Sequence, residues 1–300
     1  MGAQLRVLRR RIRSVQSTMK ITRAMELIAA SRIVKAQRRV EQATPYAMRI
    51  TEAIRELAGV TEVMATFPLL QEREIRRVAV VVITSDRGLA GGYNSAVIKV
   101  AEQTLKKVQA DGKDYRLHLA GKKGISYFRF RNYEIASQVT GVSDTPTYDD
   151  AARIGRRLMA DFESGDIDQV IVCYTDFKSP TVQVATRTQV LPIQRHQVAA
   201  TDGAVPALYE FEPEPGEILS LLLPRYVITV VYAAMLESSA AEHAARRRAM
   251  KVATDNADDL MGVLQRAANR QRQAEITTEI LDIIGGAEAL RKQKKTAAAR

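Results

Sequence analysis

The hydrophobic positions of this chain change period twice. Stepping alternately by three and four from Leu5 gives Leu5, Leu8, Ile12, Val15, Met19, Thr22, Glu26, Ala29, Ile33, Ala36, Val40, Ala43, Ala47, Ile50, Ile54 and Leu57, and fourteen of these sixteen positions are apolar. An ordinary surface helix drifts off a strict heptad over this distance, so the repeat predicts one strand of a coiled coil over residues 1–60. Pro45 falls inside it and predicts a bend, because the ring removes a backbone hydrogen bond. Near the other end, Ala249, Ala253, Asn256, Leu260, Val263, Ala267, Arg270, Ala274, Thr277, Leu281, Ile284 and Glu288 keep the same spacing, with eight apolar positions of twelve. Many are Ala, and small seam residues admit large ones from a partner helix. The first helix therefore has its predicted partner in residues 215–291, across more than half the chain.

Between the ends the period becomes that of strands separated by helices. "RRVAVVVITSD" (76–86), "YRLHLAG" (115–121), "DQVIVCYTDF" (168–177) and "TVQVATRTQVLPI" (181–193) read as strands, and residues 95–109 and 149–165 as helices. This alternation predicts a central α/β domain, Rossmann-like and with a largely parallel sheet, over residues 75–195. The Pro-rich stretch at 200–217 reads as the connection into the last helix, and residues 292–300 as a disordered tail without seam positions.

Charge separates the same parts. Residues 1–60 hold 13 Lys and Arg against 4 Asp and Glu, residues 240–300 hold 12 against 8, and the middle holds 20 against 22. The basicity belongs to the two helical ends, which makes them one physical unit. Arg9, Arg10, Arg11, Arg13, Arg38 and Arg39 could meet phosphates, but no aromatic residues are interleaved for base stacking; a solvated helix face explains them as well, and nucleic acid is not an expected partner. The longest apolar run, "VITVVYAAML" at 227–236, is about half a bilayer span, so no direct membrane insertion is expected. A single cysteine, Cys173, excludes an internal disulfide.

Candidate chemistry is thin. In "SDRGLAGGYN" (85–94) Gly88, Gly91 and Gly92 fit neither phosphate-loop spacing, and a tight turn or close packing is the better reading. His118, His196 and His243 lack metal-ligand spacing, Cys173 sits in an apolar strand, and Asp149 and Asp150 stand at a predicted helix start where carboxylates cap. We expect no catalytic residues, no cofactor and no metal.

Geometry adds a hint. A continuous first helix of this length would run about 80 Å, against about 35–40 Å for a globule of the central residues, so much of the helical pair is expected to project. Leu27, Ile28, Val34, Met48, Met250, Met261, Ile276, Ile280 and Ile283 would lie on its outer face, a liability unless another protein surrounds them.

Four blocks together, "ITRAMELIAASRIVKAQ", "VITSDRGLAGGYN", "AAEHAARRRAMKVATDNADDL" and "NRQRQAEITTEILDIIGGAEAL", resemble the gamma subunit of F-type ATP synthases over essentially the whole chain. The resemblance implies a non-catalytic central rotor that couples ion-driven rotation of a membrane c-ring to ATP synthesis, and to the reverse hydrolysis, in a ring of alpha and beta subunits. It also implies an epsilon subunit beside the globular domain, and a peripheral position at the cytoplasmic face of the plasma membrane. Met25, Arg246, Gln273 and Thr277 match the family's shaft-to-ring coupling positions, and Phe211 and Glu212 match its foot on the c-ring. Alternatives from other classes are a basic coiled-coil arm on an α/β enzyme that binds nucleic acid, and a scaffold without energy coupling.

Overall fold

The computed structural model describes residues 3–60, 67–194, 212 and 214–297. In chain order the elements are α1 (Ala3–Val60), β1 (Arg77–Ile83), α2 (Tyr93–Ala110), β2 (Asp114–Ala120), α3 (Lys122–Phe130), β3 (Ile135–Val139), α4 (Tyr148–Glu163), β4 (Gln169–Phe177), β5 (Gln183–Leu191) and α5 (Pro215–Ala297). The chain divides into two compact units, Met1–Leu27 with Met250–Arg300, and Ile28–Ala249.

In the first unit the ends of α1 and α5 pair as an antiparallel coiled coil. Thr22 Oγ1 lies 2.8 Å from Thr254 Oγ1. Along all of α1, each of the sixteen predicted seam positions is buried or half-buried, and none is exposed. On α5 the predicted seam is out of phase by one residue. The side chains that turn inward are Met250, Thr254, Ala257, Met261, Leu264, Ala268, Gln271 and Glu275; of the predicted positions Ala249, Ala253 and Ala267 are half-buried, whereas Asn256, Leu260, Val263, Arg270 and Ala274 are exposed. Met250 and Met261, read from sequence as outward, thus belong to the inner face. The reason is that two adjacent stripes of this helix are both apolar: the period is written in the sequence, but the phase depends on which stripe meets α1. Both helices run without a break through their internal prolines, Pro45 in α1 and Pro224 in α5, so no helix ends at the expected bend. Helix α5 also continues through Gly285 and Gly286 to Ala297.

In the second unit a five-stranded sheet has the order β3-β2-β1-β4-β5, parallel except for β5, which pairs antiparallel with β4. β1 is central and buried on both faces, which its unbroken apolar run "VAVVVI" requires. Val78, Val80 and Val82 point to one side, into a core with Val97, Ala101 and Leu105 of α2 and Phe128 of α3. Ala79, Val81 and Ile83 point to the other, where α4 packs with Ile50, Ile54 and Leu57 of α1 and Leu219, Leu223, Val227 and Val231 of α5. The ends of the long helices are therefore layers of the α/β core, and the domain is not confined to the central residues. This also accounts for the apolar start of α5. One eighteen-residue window there is apolar enough to cross a membrane by composition, and half of it is buried inside the protein. The strand β3 and the short helix α3 were not read from sequence, because an edge strand of half-buried residues shows little alternation.

Local chemistry shapes the strand ends. Gly121 has φ +102°, and a Cβ there would lie 2.1 Å from the Thr84 carbonyl oxygen, so only glycine lets the β2–α3 turn close over β1. At the start of α4, Thr147 Oγ1 accepts from Asp150 N–H while the Asp150 carboxylate accepts from Thr147 N–H, a reciprocal capping box. Capping is thus what Asp150 does.

Candidate functional site

The residues singled out from sequence fall in different places. In the first unit, Met25 is half-buried on α1, and its neighbour Glu26 receives a hydrogen bond of 3.2 Å from Arg23. The polar seam residue Thr22 is matched by Thr254. One of the two hydroxyls donates across the seam while the other donates to its own turn, to Met19 O or Met250 O. With Thr22 opposite Thr254 in an antiparallel pair, Leu5 of α1 stands at the level of Gln271, and α5 beyond that level passes the described start of α1. Gln273 and Thr277 lie at this point, both exposed, with Thr277 Oγ1 donating to Gln273 O at 3.0 Å. From Ile276 every residue to Glu288 is exposed, including Ile280, Leu281, Ile283 and Ile284.

Arg246 belongs to the second unit and is only 7% exposed. Its guanidinium donates to Glu242 Oε1 at 2.6 Å, one helical turn back on α5, and to the Gly88 carbonyl at 3.3 Å, in the glycine loop after β1. His243, also buried, lies between Arg246 (3.4 Å from Nδ1) and Asp144 (3.4 Å from Nε2). Asp144 in turn accepts from Arg32 of α1 at 2.6 Å. Burial dominates the titration of Glu242 and His243. It pushes Glu242 up against the pull of Arg246, and holds His243 down at about 4, in the neutral form. Glu242, His243 and Asp144 were not singled out from sequence as partners of Arg246. The spacing of Glu242 and Arg246 by four on a helix was the available signal.

Glu212 is exposed, and Phe211 lies outside the described residues, as does His196. His118 is buried in β2 with Ser137 Oγ at 2.7 Å from Nδ1, and burial lowers it to about 4. Cys173 is fully buried in β4, its thiol pushed up to about 11. Among the described residues no three His, Cys, Asp or Glu side chains could hold a metal ion together. Polar groups at both ends of the glycine loop are engaged within the protein: Ser85 N–H donates to Asn94 Oδ1 at 2.9 Å, and the Asp86 carboxylate accepts from the backbone N–H groups of Lys122, Gly141 and Ser143. An open cleft of about 1050 Å³ lies between α1, α4 and α5, lined by Tyr46, Arg55, Tyr148, Arg156, Arg225 and Tyr232 among others.

A coiled coil built from the two ends of one chain, and a doubly wound unit whose glycine loop is tied to the last helix, place this chain among mixed α/β proteins that pair their own termini. The comparisons specify it. A family model described as ATP synthase matches residues 4–290. Curated relatives called ATP synthase gamma chain include those of Streptomyces avermitilis, 46% identical with 97% of each chain covered, and Frankia casuarinae, 49% identical with 97% of this chain and 99% of the relative covered. The chain belongs to the ATP synthase gamma chain family. Solved structures agree on the fold: a chain of the Euglena gracilis mitochondrial ATP synthase aligns with TM-score 0.69 at 16% identity over 98% of this chain and 97% of its own. A chain of the Tetrahymena thermophila mitochondrial ATP synthase, from a structure of the central stalk and c-ring, aligns with TM-score 0.58 at 24% identity over 78% of this chain and 99% of its own.

Proposed function

We propose that this gamma chain performs no chemistry itself and acts as a shaft, with the tip of α5 turning inside a ring of alpha and beta subunits. The observation that carries this reading is the run from Ile276 to Glu288, exposed throughout and rich in Ile and Leu, beyond the level at which α1 accompanies α5. Apolar surface of this kind on a solitary helix needs a sleeve. Gln273 and Thr277, exposed at the base of the run, are the proposed contacts to a catalytic-subunit loop. Met25 is a proposed coupling position on α1, and Arg246, buried in its own chain, couples through the residues around it. Phe211 and Glu212 are the proposed foot on the c-ring, with the epsilon subunit beside the globular domain. The assembly would sit peripherally at the cytoplasmic face of the plasma membrane.

The mechanism follows from asymmetry. The two helices of the seam differ in sequence, so three otherwise equivalent catalytic subunits meet three different faces of the shaft. A subunit's conformations are biased only by differential contacts, and turning the shaft passes that bias from one subunit to the next. Reciprocity requires that hydrolysis in the ring drive the shaft backwards. Mild extraction of the tagged chain from its membranes, followed by identification of its companions, tests the reading. Alpha, beta, epsilon and c subunits are expected; a chain recovered without an ATPase ring, or with bound nucleic acid released by salt, would overturn it.

A further inference from the structure

In the sheet order β3-β2-β1-β4-β5 the chain winds from β1 outward through β2 and β3, then crosses back to place β4 on the other side of β1. The topological switch point is therefore between β1 and β4. Doubly wound sheets take their ligands in the crevice outside the carboxyl ends of the two strands at that point. Here that crevice is filled, and by the chain itself. Ser238 Oγ of α5 accepts a hydrogen bond from Thr175 N–H, near the end of β4, at 3.3 Å. Ala241 of α5 forms a small buried cluster with Ala90 and Tyr93, and Phe177 and Ala245 pack against it. One turn further on, Arg246 reaches the Gly88 carbonyl of the loop that follows β1. Beside the crevice, the N-terminus of α3 is also engaged within the chain: the Asp86 carboxylate accepts from Lys122 N–H at 3.1 Å, and from Gly141 N–H after β3 at 2.9 Å.

We propose that the ligand crevice of the α/β domain holds the last helix as its permanent occupant, and that Arg246 is the positioning residue that latches α5 to the glycine loop Ser85–Asn94, so that the domain and the stretch of α5 packed within it turn as one piece. The proposal rests on the rotor reading for its mechanical consequence, but not for its geometry. Arg246 has its partners, Glu242 and Gly88, in its own chain, and little of it remains to be touched by another subunit. A variant at Arg246 then loses coupling because the helix gains slack in its socket.

The same contact supplies the test. A Cβ on Gly91 would lie 3.6 Å from the Ala249 Cβ, within the range that disulfides span. Gly91 has φ +55°, where an L side chain is mildly strained, so the reduced pair serves as its own control. Cys173, the single native cysteine, is buried and does not compete. The full synthase is prepared in inverted membrane vesicles with Gly91→Cys/Ala249→Cys, with Arg246→Ala, and with all three changes, each reduced by dithiothreitol or oxidised by copper phenanthroline. Proton pumping per ATP hydrolysed and ATP synthesis are read alongside the extent of cross-linking. The oxidised cysteine pair alone is expected to keep both within about twofold, Arg246→Ala to lose pumping per ATP several-fold, and oxidation of the triple variant to restore most of that loss. A cross-link that forms but restores nothing would overturn the latch, as would a cross-link that stops synthesis in the native Arg246 background. Failure of the purified full chain to form the disulfide at all would overturn the filled crevice. If the chain cross-links readily but is never found with an ATPase ring, the crevice stands and the rotor reading falls.

Discussion

Thr22 and Thr254, 232 positions apart in the chain, bring their hydroxyl oxygens to within 2.8 Å across the seam between α1 and α5. The pair is polar where the heptad wants apolar side chains, and it selects one register among several that small seam residues would tolerate. Neither hydroxyl is orphaned by loss of the other, since each also lies at hydrogen-bond distance from a carbonyl of its own turn. Replacing either Thr by Val should cost about 1 kcal/mol, and a double-mutant cycle should return a coupling of about 0.5–1 kcal/mol. Denaturant titration of the full chain measures both. A coupling of zero would mean that the two hydroxyls do not hold the register.

Gln273 and Thr277 make a contrasting case, because both are exposed in the chain and the side chain of Thr277 bonds only to its own helix. Gln273→Leu and Thr277→Val should leave thermal stability within about 0.5 kcal/mol of the parent. Coupled ATP synthesis in vesicles should nevertheless fall, since the proposed partners of these two side chains belong to the assembled ring. Normal synthesis rates in both variants would remove these residues from the proposed interface.

Acid should weaken the second unit through two buried histidines. His118 and His243 both titrate near 4 in the folded chain, against an ordinary value near 6.5, with burial as the largest cause. Their neutral forms are favoured by folding, so their contribution is complete above about 6.5 and is lost as pH falls towards 4, by about 2–3 kcal/mol each. Glu237 works in the opposite sense. Burial, helped by Asp176, lifts it to about 7, so its contribution is complete below its ordinary carboxylate value and is lost as pH rises through about 7. Melting temperatures measured from pH 4.5 to 8 should show His243→Gln flattening the acid limb and Glu237→Gln flattening the limb above neutrality. An acid limb unchanged in His243→Gln would show that Asp144 offsets the effect of burial on the imidazole.

Period was legible in the sequence, and phase was not. The α1 seam could be read residue by residue, because only one stripe of that helix is consistently apolar. The α5 seam could not, because Leu260 and Val263 compete with Met261 and Leu264 on the neighbouring stripe, and contact with α1 chose the latter. The candidate site divides in the same way. Gln273 and Thr277 could be named from the blocks that carry the family resemblance, but the partners of Arg246 could not. Glu242 is near it in sequence, whereas Gly88 is 158 residues away and reaches it only because the sheet order brings the β1 loop against α5.

The sequence by itself determined the two long helices, the strand-and-helix alternation between them, and the segregation of charge into the ends, because each is a local pattern of side-chain spacing and composition. Tertiary structure alone decided that the feet of the helices are layers of the α/β core, that α5 occupies the crevice at the switch point, and that Arg246 is buried in its own chain. Those facts depend on which apolar surfaces find one another once the sheet has closed. Burial against a distant surface leaves no period for a sequence to show.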